Sequence, residues 1–340
     1  MNNYFKNKVF FITGGTGSFG KALTKVLLEN YKPKKIVIFS RDELKQYEMK
    51  NQISLKYINK MRFFIGDIRD LPRLKTAMQN VDFVIHAAAL KHVPIAEYNP
   101  FEFIKTNVIG SQNVIDAATD VGVSRVIALS TDKAASPINL YGATKLTADK
   151  LFIAANNTIG NRKIAFSVVR YGNVLNSRGS VLPLFLDQLK KDYFTITDKN
   201  MTRFIITLNQ GVDFVLNSLK NMGGGEIFIP KIPSIKIIDL AKSLDKNKKI
   251  IITGIRPGEK IHEEMITISD SLNTVEFKEF YIIFPNSEFL TNQKKMFFKN
   301  FVKKNNGLKV MNNFRYSSDN NLVFLSISGI QKLINSNEVN

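Results

Sequence analysis

The feature that most limits the fold of this chain is Gly14-x-x-Gly17-x-x-Gly20, set between an apolar run at 9–13 and a helical pattern that begins at residue 20. Glycine at a strand-to-helix junction lets the backbone turn tightly and approach an anion closely. The free amides and positive dipole end of the helix then stabilise that anion. Strand, glycine loop and helix in this order make a pyrophosphate cradle, the opening unit of a doubly wound sheet. Short runs rich in Val, Ile and Phe at 9–13, 35–40, 62–65, 83–86, 125–130 and 164–170 fit buried parallel strands. Helical patterns at 20–30, 73–79, 107–121 and 141–156 alternate with them, so a Rossmann-type α/β fold is expected.

Beyond residue 170 the alternation loosens, with a helix expected at 209–221 and a further strand at 226–230 that extends the sheet. The expected division is a dinucleotide-binding domain (1–173 and 206–232) and a smaller, discontinuous substrate lobe (174–205 and 233–285). The lobe would cover the carboxyl ends of the strands, and 286–340 reads as a peripheral extension.

Composition narrows the chemistry. A chain of 340 residues without cysteine can bury a substantial core, but it has no disulfide framework, thiolate zinc site or cysteine nucleophile. His86, His92 and His262 lack metal-like spacing, so no metal is expected. A formal charge of +19 raises the question of nucleic acid, but the lysine runs at 32–35, 242–249 and 294–304 lie far apart and read as solvated surface. The first apolar run is too short for a signal peptide, and none reaches the roughly 18 residues of a membrane span. A soluble cytoplasmic protein with neither nucleic-acid nor membrane partner is the expectation.

The second strand ends at Ser40-Arg41-Asp42. An acid here holds the ribose hydroxyls of NAD, whereas Arg41, with Lys45 nearby, suits a 2′-phosphate. NADP is favoured, and Asp42 leaves NAD open. Asp67 and Ile68, after the third strand, are expected beside the adenine. Tyr141 and Lys145 stand four apart on one helix face, where an ammonium can lower the phenol pKa and let Tyr141 take a hydroxyl proton as hydride leaves the same carbon. Thr131 sits at the end of the strand just before that helix.

Through Thr13-Gly-Gly-Thr-Gly-Ser-Phe-Gly20, His86-Ala-Ala-Ala89, Asn107, Thr131 and Tyr141/Lys145, residues 8–285 resemble the extended short-chain dehydrogenase/reductase superfamily. Ser40-Arg-Asp-Glu-Leu-Lys-Gln46, the run from Ala87 to Pro100 and Leu129-Ser-Thr-Asp-Lys-Ala-Ala135 are more narrowly similar to the inverting UDP-N-acetylglucosamine 4,6-dehydratases of bacterial pseudaminic acid synthesis. The resemblance implies cofactor contacts at Gly14, Thr16, Gly17, Ser18, Phe19, Gly20, Ser40, Arg41, Lys45, Asp67, Ile68, Ala87, Lys91, Tyr141 and Lys145. It implies substrate contacts at Lys91, Thr131, Asn173, Arg178, Gly179, Ser180, Arg256 and Glu259, and a homo-oligomer.

Retaining dehydratases of this superfamily characteristically carry Asp-Glu where this chain has Asp132-Lys133. The resemblance therefore implies that oxidation at C4 acidifies C5–H, that neutral Lys133 removes this proton and that protonated Asp132 assists departure of the C6 hydroxyl. For Lys133 to act as a base its pKa must fall, and the charges of Lys145 and an oxidised nicotinamide are expected to lower it. Arg203 is a candidate either for diphosphate contact or for structural ion pairing. The rival readings are a UDP-sugar 4-epimerase, an inverting dehydratase of a capsule pathway, a non-catalytic dinucleotide sensor and a basic nucleic-acid-binding protein.

Overall fold

The computed structural model describes residues 3–177 and 180–336. The expected strands form as β1 (Val9–Thr13), β2 (Lys35–Ser40), β3 (Met61–Ile65), β4 (Phe83–His86), β5 (Arg125–Thr131) and β6 (Ala165–Tyr171). They pair in parallel in the order 3-2-1-4-5-6, and Ile227–Pro230 adds a seventh parallel strand beside β6. Most β1 and β2 residues and all of β4 are buried, as expected for strands covered on both faces. The 13-residue helix α1 (Ser18–Asn30) follows β1, and the helices Gly110–Val121 and Leu140–Thr158 flank β5.

Two expectations about the second half are corrected. Residues 274–283, assigned to the substrate lobe, instead supply the antiparallel strands Thr274–Glu276 and Phe280–Ile283, which continue the central sheet past Ile227–Pro230. Their alternating Val, Phe, Tyr and Ile side chains pack into the main core rather than over the ligand edge. The C-terminal stretch is not peripheral either. Tyr316–Ser317 pairs with Glu264–Ile266, and Ile330 is buried in a second, smaller core with Leu182, Phe185, Phe194, Ile205 and Leu240. That second core is distinct from the main core of the sheet. Among the described residues no helix is long and apolar enough to cross a membrane.

Candidate active site

The glycine loop is shaped by close backbone approach. Gly14 has φ +64°, and a Cβ there would lie 2.9 Å from the Ala88 backbone; a Cβ on Gly20 would lie 2.3 Å from the Gly15 carbonyl oxygen. Gly17 caps α1, and no side chain caps the first amides of that helix. Thr16 is buried, Phe19 packs on the core, and Gly17 and Ser18 face solvent. A dinucleotide pyrophosphate fits this cradle, because only main chain stands between it and the positive end of α1.

At the end of β2 the Ser40 hydroxyl and carbonyl accept from Gln46. Asp42 caps the helix Glu43–Gln52, accepting from the Lys45 amide at 3.0 Å, and lies 2.5 Å from Lys45 Nζ. The carboxylate that left NAD open is therefore engaged as a helix cap. Arg41 is exposed and 3.6 Å from Asp67. Burial pushes the Asp67 carboxyl up, but hydrogen bonds from the Arg69 side chain and amide outweigh it and leave it below the usual range. Ile68 is a core residue, packed against the backbone at Gly110.

His86 ties the loop to β4. Thr13 Oγ1 accepts from the Ala87 and Ala88 amides, so its single proton goes to His86 Nδ1 at 2.8 Å, leaving Nε2 to donate to Ser111. Burial, with the nearby Lys145 charge, pushes this imidazole down to about 3. Beyond it, Lys91 lies at the exposed end of the Ala87–Ala89 segment. That segment is held by Asn107, which sits in a π-helical stretch, Ile104–Ile109, and bonds both Leu90 backbone groups and Thr144. Such widened turns recur at functional sites.

The catalytic candidates meet where β5 ends. Thr131 caps a single turn, Asp132–Ala134, accepting from the Lys133 amide while its hydroxyl donates to Asp132 Oδ1 at 2.9 Å. Lys133 Nζ lies 3.2 Å from Asp132 Oδ1 and 2.8 Å from Glu263 Oε1. Asp132 and Glu263 are 1% and 2% exposed, and each keeps one buried oxygen, Oδ2 and Oε2, without a hydrogen-bond partner among the described residues.

Two electrostatic expectations are corrected here. Burial pushes the Lys133 ammonium down, as expected, but Asp132 and Glu263 outweigh it and leave Lys133 raised, so as built it is a held cation and not a free amine. Nor is Lys145 among the main influences on the phenol. Lys145 is buried with Nζ donating to the Leu129 carbonyl at 2.7 Å, and burial lowers its own pKa. Burial pushes Tyr141 up to about 12, and the opposing pull comes from the Lys133 charge and a hydrogen bond with Thr131. For Asp132, burial raises the carboxyl more than Lys133 lowers it.

From the lobe, Asn173 Oδ1 and Ser180 Oγ are buried without hydrogen-bond partners among the described residues. Arg178 and Gly179 lie outside the described residues. Arg256 is exposed, its amide 3.4 Å from Glu259 Oε2. The alternative for Arg203 resolves in favour of structure: its guanidinium donates to the carbonyls of Thr202, Lys260 and Ile261 and lies 3.6 Å from Glu259. Asn139 and Lys260 strap the Arg256–Lys260 segment to the β5 side of the site, through the Gly258 and Ala135 carbonyls.

Residues 10–285 match the family described as polysaccharide biosynthesis protein. The chain belongs to that family. It is 56% identical over 336 residues to a protein named UDP-N-acetylglucosamine 4,6-dehydratase (inverting) from Campylobacter jejuni subsp. jejuni serotype O:2, covering 98% of this chain and 99% of the relative. A UDP-glucose 4-epimerase of Rickettsia bellii is 43% identical over 287 residues, covering 82% and 83%. Among solved structures, Pen from Bacillus thuringiensis superposes with a TM-score of 0.86 at 39% identity over 97% of this chain and 98% of that one.

In this family member the sequence reading missed Glu263. His262-Glu-Glu264 has the look of a solvated charged stretch, and only the pairing of Glu264–Ile266 with Tyr316–Ser317 brings it under Lys133. It also missed the buried pair Arg170–Asp149, 3.2 Å apart, in which Asp149 further accepts from Ser130 at 2.8 Å and so braces the end of β5. A charged residue inside an otherwise apolar strand run, Arg170, was the available signal.

Proposed function

We propose that this protein is an inverting UDP-N-acetylglucosamine 4,6-dehydratase that uses NADP. The observation that carries the reading is the Lys133–Asp132 contact of 3.2 Å, at the end of β5 and electrostatically coupled to Tyr141. The glycine loop, with Arg41 and Lys45 at the ribose end, would hold NADP, whose chemistry when bound would be to take hydride from C4 and give it to C6, with a positive charge that would favour the Tyr141 phenolate.

Tyr141 takes the C4 hydroxyl proton. One proton transfer along the Lys133 Nζ–Asp132 Oδ1 hydrogen bond then prepares the elimination, making a neutral amine and a carboxylic acid together. Asp132 suits this transfer because its burial favours the neutral acid. Lys133 removes the C5 proton, Asp132 gives its proton to the departing C6 hydroxyl, and water leaves with the original ion pair restored. A proton delivered to C5 from the opposite face, by Tyr141, completes the 4-keto-6-deoxy sugar with C5 inverted. Asn173 and Ser180 offer the substrate polar atoms that lack partners among the described residues, and Lys91, Thr131, Arg256 and Glu259 are the further substrate contacts of this reading, with the Arg256 guanidinium for the diphosphate.

The reading extends to a cytoplasmic homo-oligomer acting at the first step of pseudaminic acid synthesis or of another surface-sugar pathway. Identity to the Rickettsia epimerase favours a second reading, C4 epimerisation with the same Tyr141 chemistry and no elimination. Incubation with UDP-N-acetylglucosamine and catalytic NADP, followed by NMR, separates them. The 4-keto-6-deoxy product supports dehydration; a C4 epimer alone replaces it.

A further inference from the structure

Glu263 takes part in none of the steps above, yet it is the nearest acceptor to Lys133, at 2.8 Å. It is reached from a distant part of the chain. The Glu263 amide donates to Ser318 Oγ at 2.9 Å, and the Ser318 amide donates back to the Glu263 carbonyl at 2.7 Å. Ser318 is fixed in turn by Thr202, 2.7 Å away through the two hydroxyls, and Thr202 also contacts His262 at 2.8 Å. Glu263 and the two residues that brace it, Thr202 and Ser318, are buried. Burying a carboxylate with one oxygen unpartnered among the described residues costs free energy, which the charges of Lys133 and Arg203 beside Oε1 offset.

We infer that Glu263 is a positioning residue for the elimination, holding the Lys133 ammonium against Asp132, and that Ser318 of the C-terminal segment fixes Glu263 for this task. The inference rests on the dehydratase reading. Lys133 carries three N–H donors; Asp132 and Glu263 take two of them, which holds Nζ in one place rather than on a mobile stem, and once Asp132 has taken a proton the Glu263 hydrogen bond still keeps the neutral amine there. Glu263 also sets when the amine becomes available, because its charge favours the protonated lysine until the transfer to Asp132. The other groups facing the pair are Asp132, Tyr141, Arg203 and Lys260. The two cations among them, Arg203 and Lys260, help to keep Glu263 ionised.

The test compares wild type, Glu263→Gln, Glu263→Asp and Ser318→Ala as full chains. Glu263→Gln keeps the shape and removes the charge. It is expected to lower kcat about 10- to 100-fold with KM little changed, and to move the acidic limb of the kcat–pH profile down by about 1 to 3 pH units. Glu263→Asp should restore the limb and part of kcat. Ser318→Ala should lower kcat with the limb in place, since the carboxylate remains. A second readout needs no turnover: competitive labelling with acetic anhydride, read by peptide mass mapping, should show Lys133 acylated at lower pH in Glu263→Gln than in wild type. If wild type forms the 4-keto-6-deoxy product while Glu263→Gln keeps its kcat, its pH limb and its Lys133 labelling profile, this inference is overturned and the dehydratase reading stands. A wild type that forms no such product sinks the reading itself, and the labelling result then still decides whether Glu263 holds Lys133.

Discussion

At the end of β1 the candidate ligand groups are main chain, the amides of the Gly14–Gly20 loop other than those of Gly14 and Gly17, which already donate to the Phe39 and Gly14 carbonyls. At the end of β5 they are ionised side chains, Asp132, Lys133 and Glu263, of which the last comes from more than a hundred residues away. The first region works by leaving side chains out, so its tolerance is set by sterics: a single methyl meets main chain at 2.9 Å or less at Gly14 and Gly20. The second works by burying charge, and its tolerance is set by pairing, since removing one partner leaves another desolvated. A chain can therefore keep the loop and lose or change the reaction; this chain is similar both to a protein named as a dehydratase and to one named as an epimerase.

The sharpest way to break this contrast is Lys133→Ala. Loss of dehydration by about 10²- to 10⁴-fold is expected, with dinucleotide binding measured by calorimetry unchanged; a parallel loss of binding would show that the two regions are not separable. Next comes Gly14→Ala, which forces φ +64° on a residue with a Cβ aimed at Ala88. It should destabilise the protein by about 1 to 3 kcal/mol and weaken the dinucleotide, while leaving the Lys133–Glu263 pair intact. Thermal unfolding with and without cofactor checks both halves of that statement.

His86 stands between the regions and bears on both. Its imidazole titrates near 3 in the fold against 6.5 in an unfolded chain, so the unfolded state takes up the proton first as pH falls. Its contribution to stability is thus fully present above pH 6.5 and is lost on acidification towards 3, at up to about 1.4 kcal/mol per pH unit. Denaturant unfolding across this range should show a steeper slope in wild type than in His86→Asn. Equal slopes would mean that burial and the Lys145 charge do not keep the ring neutral.

The same contrast explains what could be read from the chain. Strand runs such as Val9–Thr13 and Phe83–His86 and the Gly14–Gly20 loop were legible because their signal is local: period, glycine placement and the order strand, loop, helix. Asp132, Lys133 and Tyr141 were legible as residues, through resemblance, but not as electrostatics. The lysine's state depends on Glu263, and Glu263 depends on strand pairing with Tyr316–Ser317, in a segment whose Lys- and Asn-rich composition pointed to a peripheral role. Thr274–Glu276 and Phe280–Ile283 were misplaced for a related reason, because whether a short strand joins a sheet or a lobe is set by its partner, here Ile227–Pro230.

The account stands most directly on the configuration and labelling of C5. Purified protein, UDP-N-acetylglucosamine and catalytic NADP in deuterated water, followed by proton NMR, should give a 4-keto-6-deoxy sugar with C5 inverted and carrying solvent deuterium. A product that retains the C5 configuration, or one epimerised only at C4 with its C5 proton in place, would contradict it.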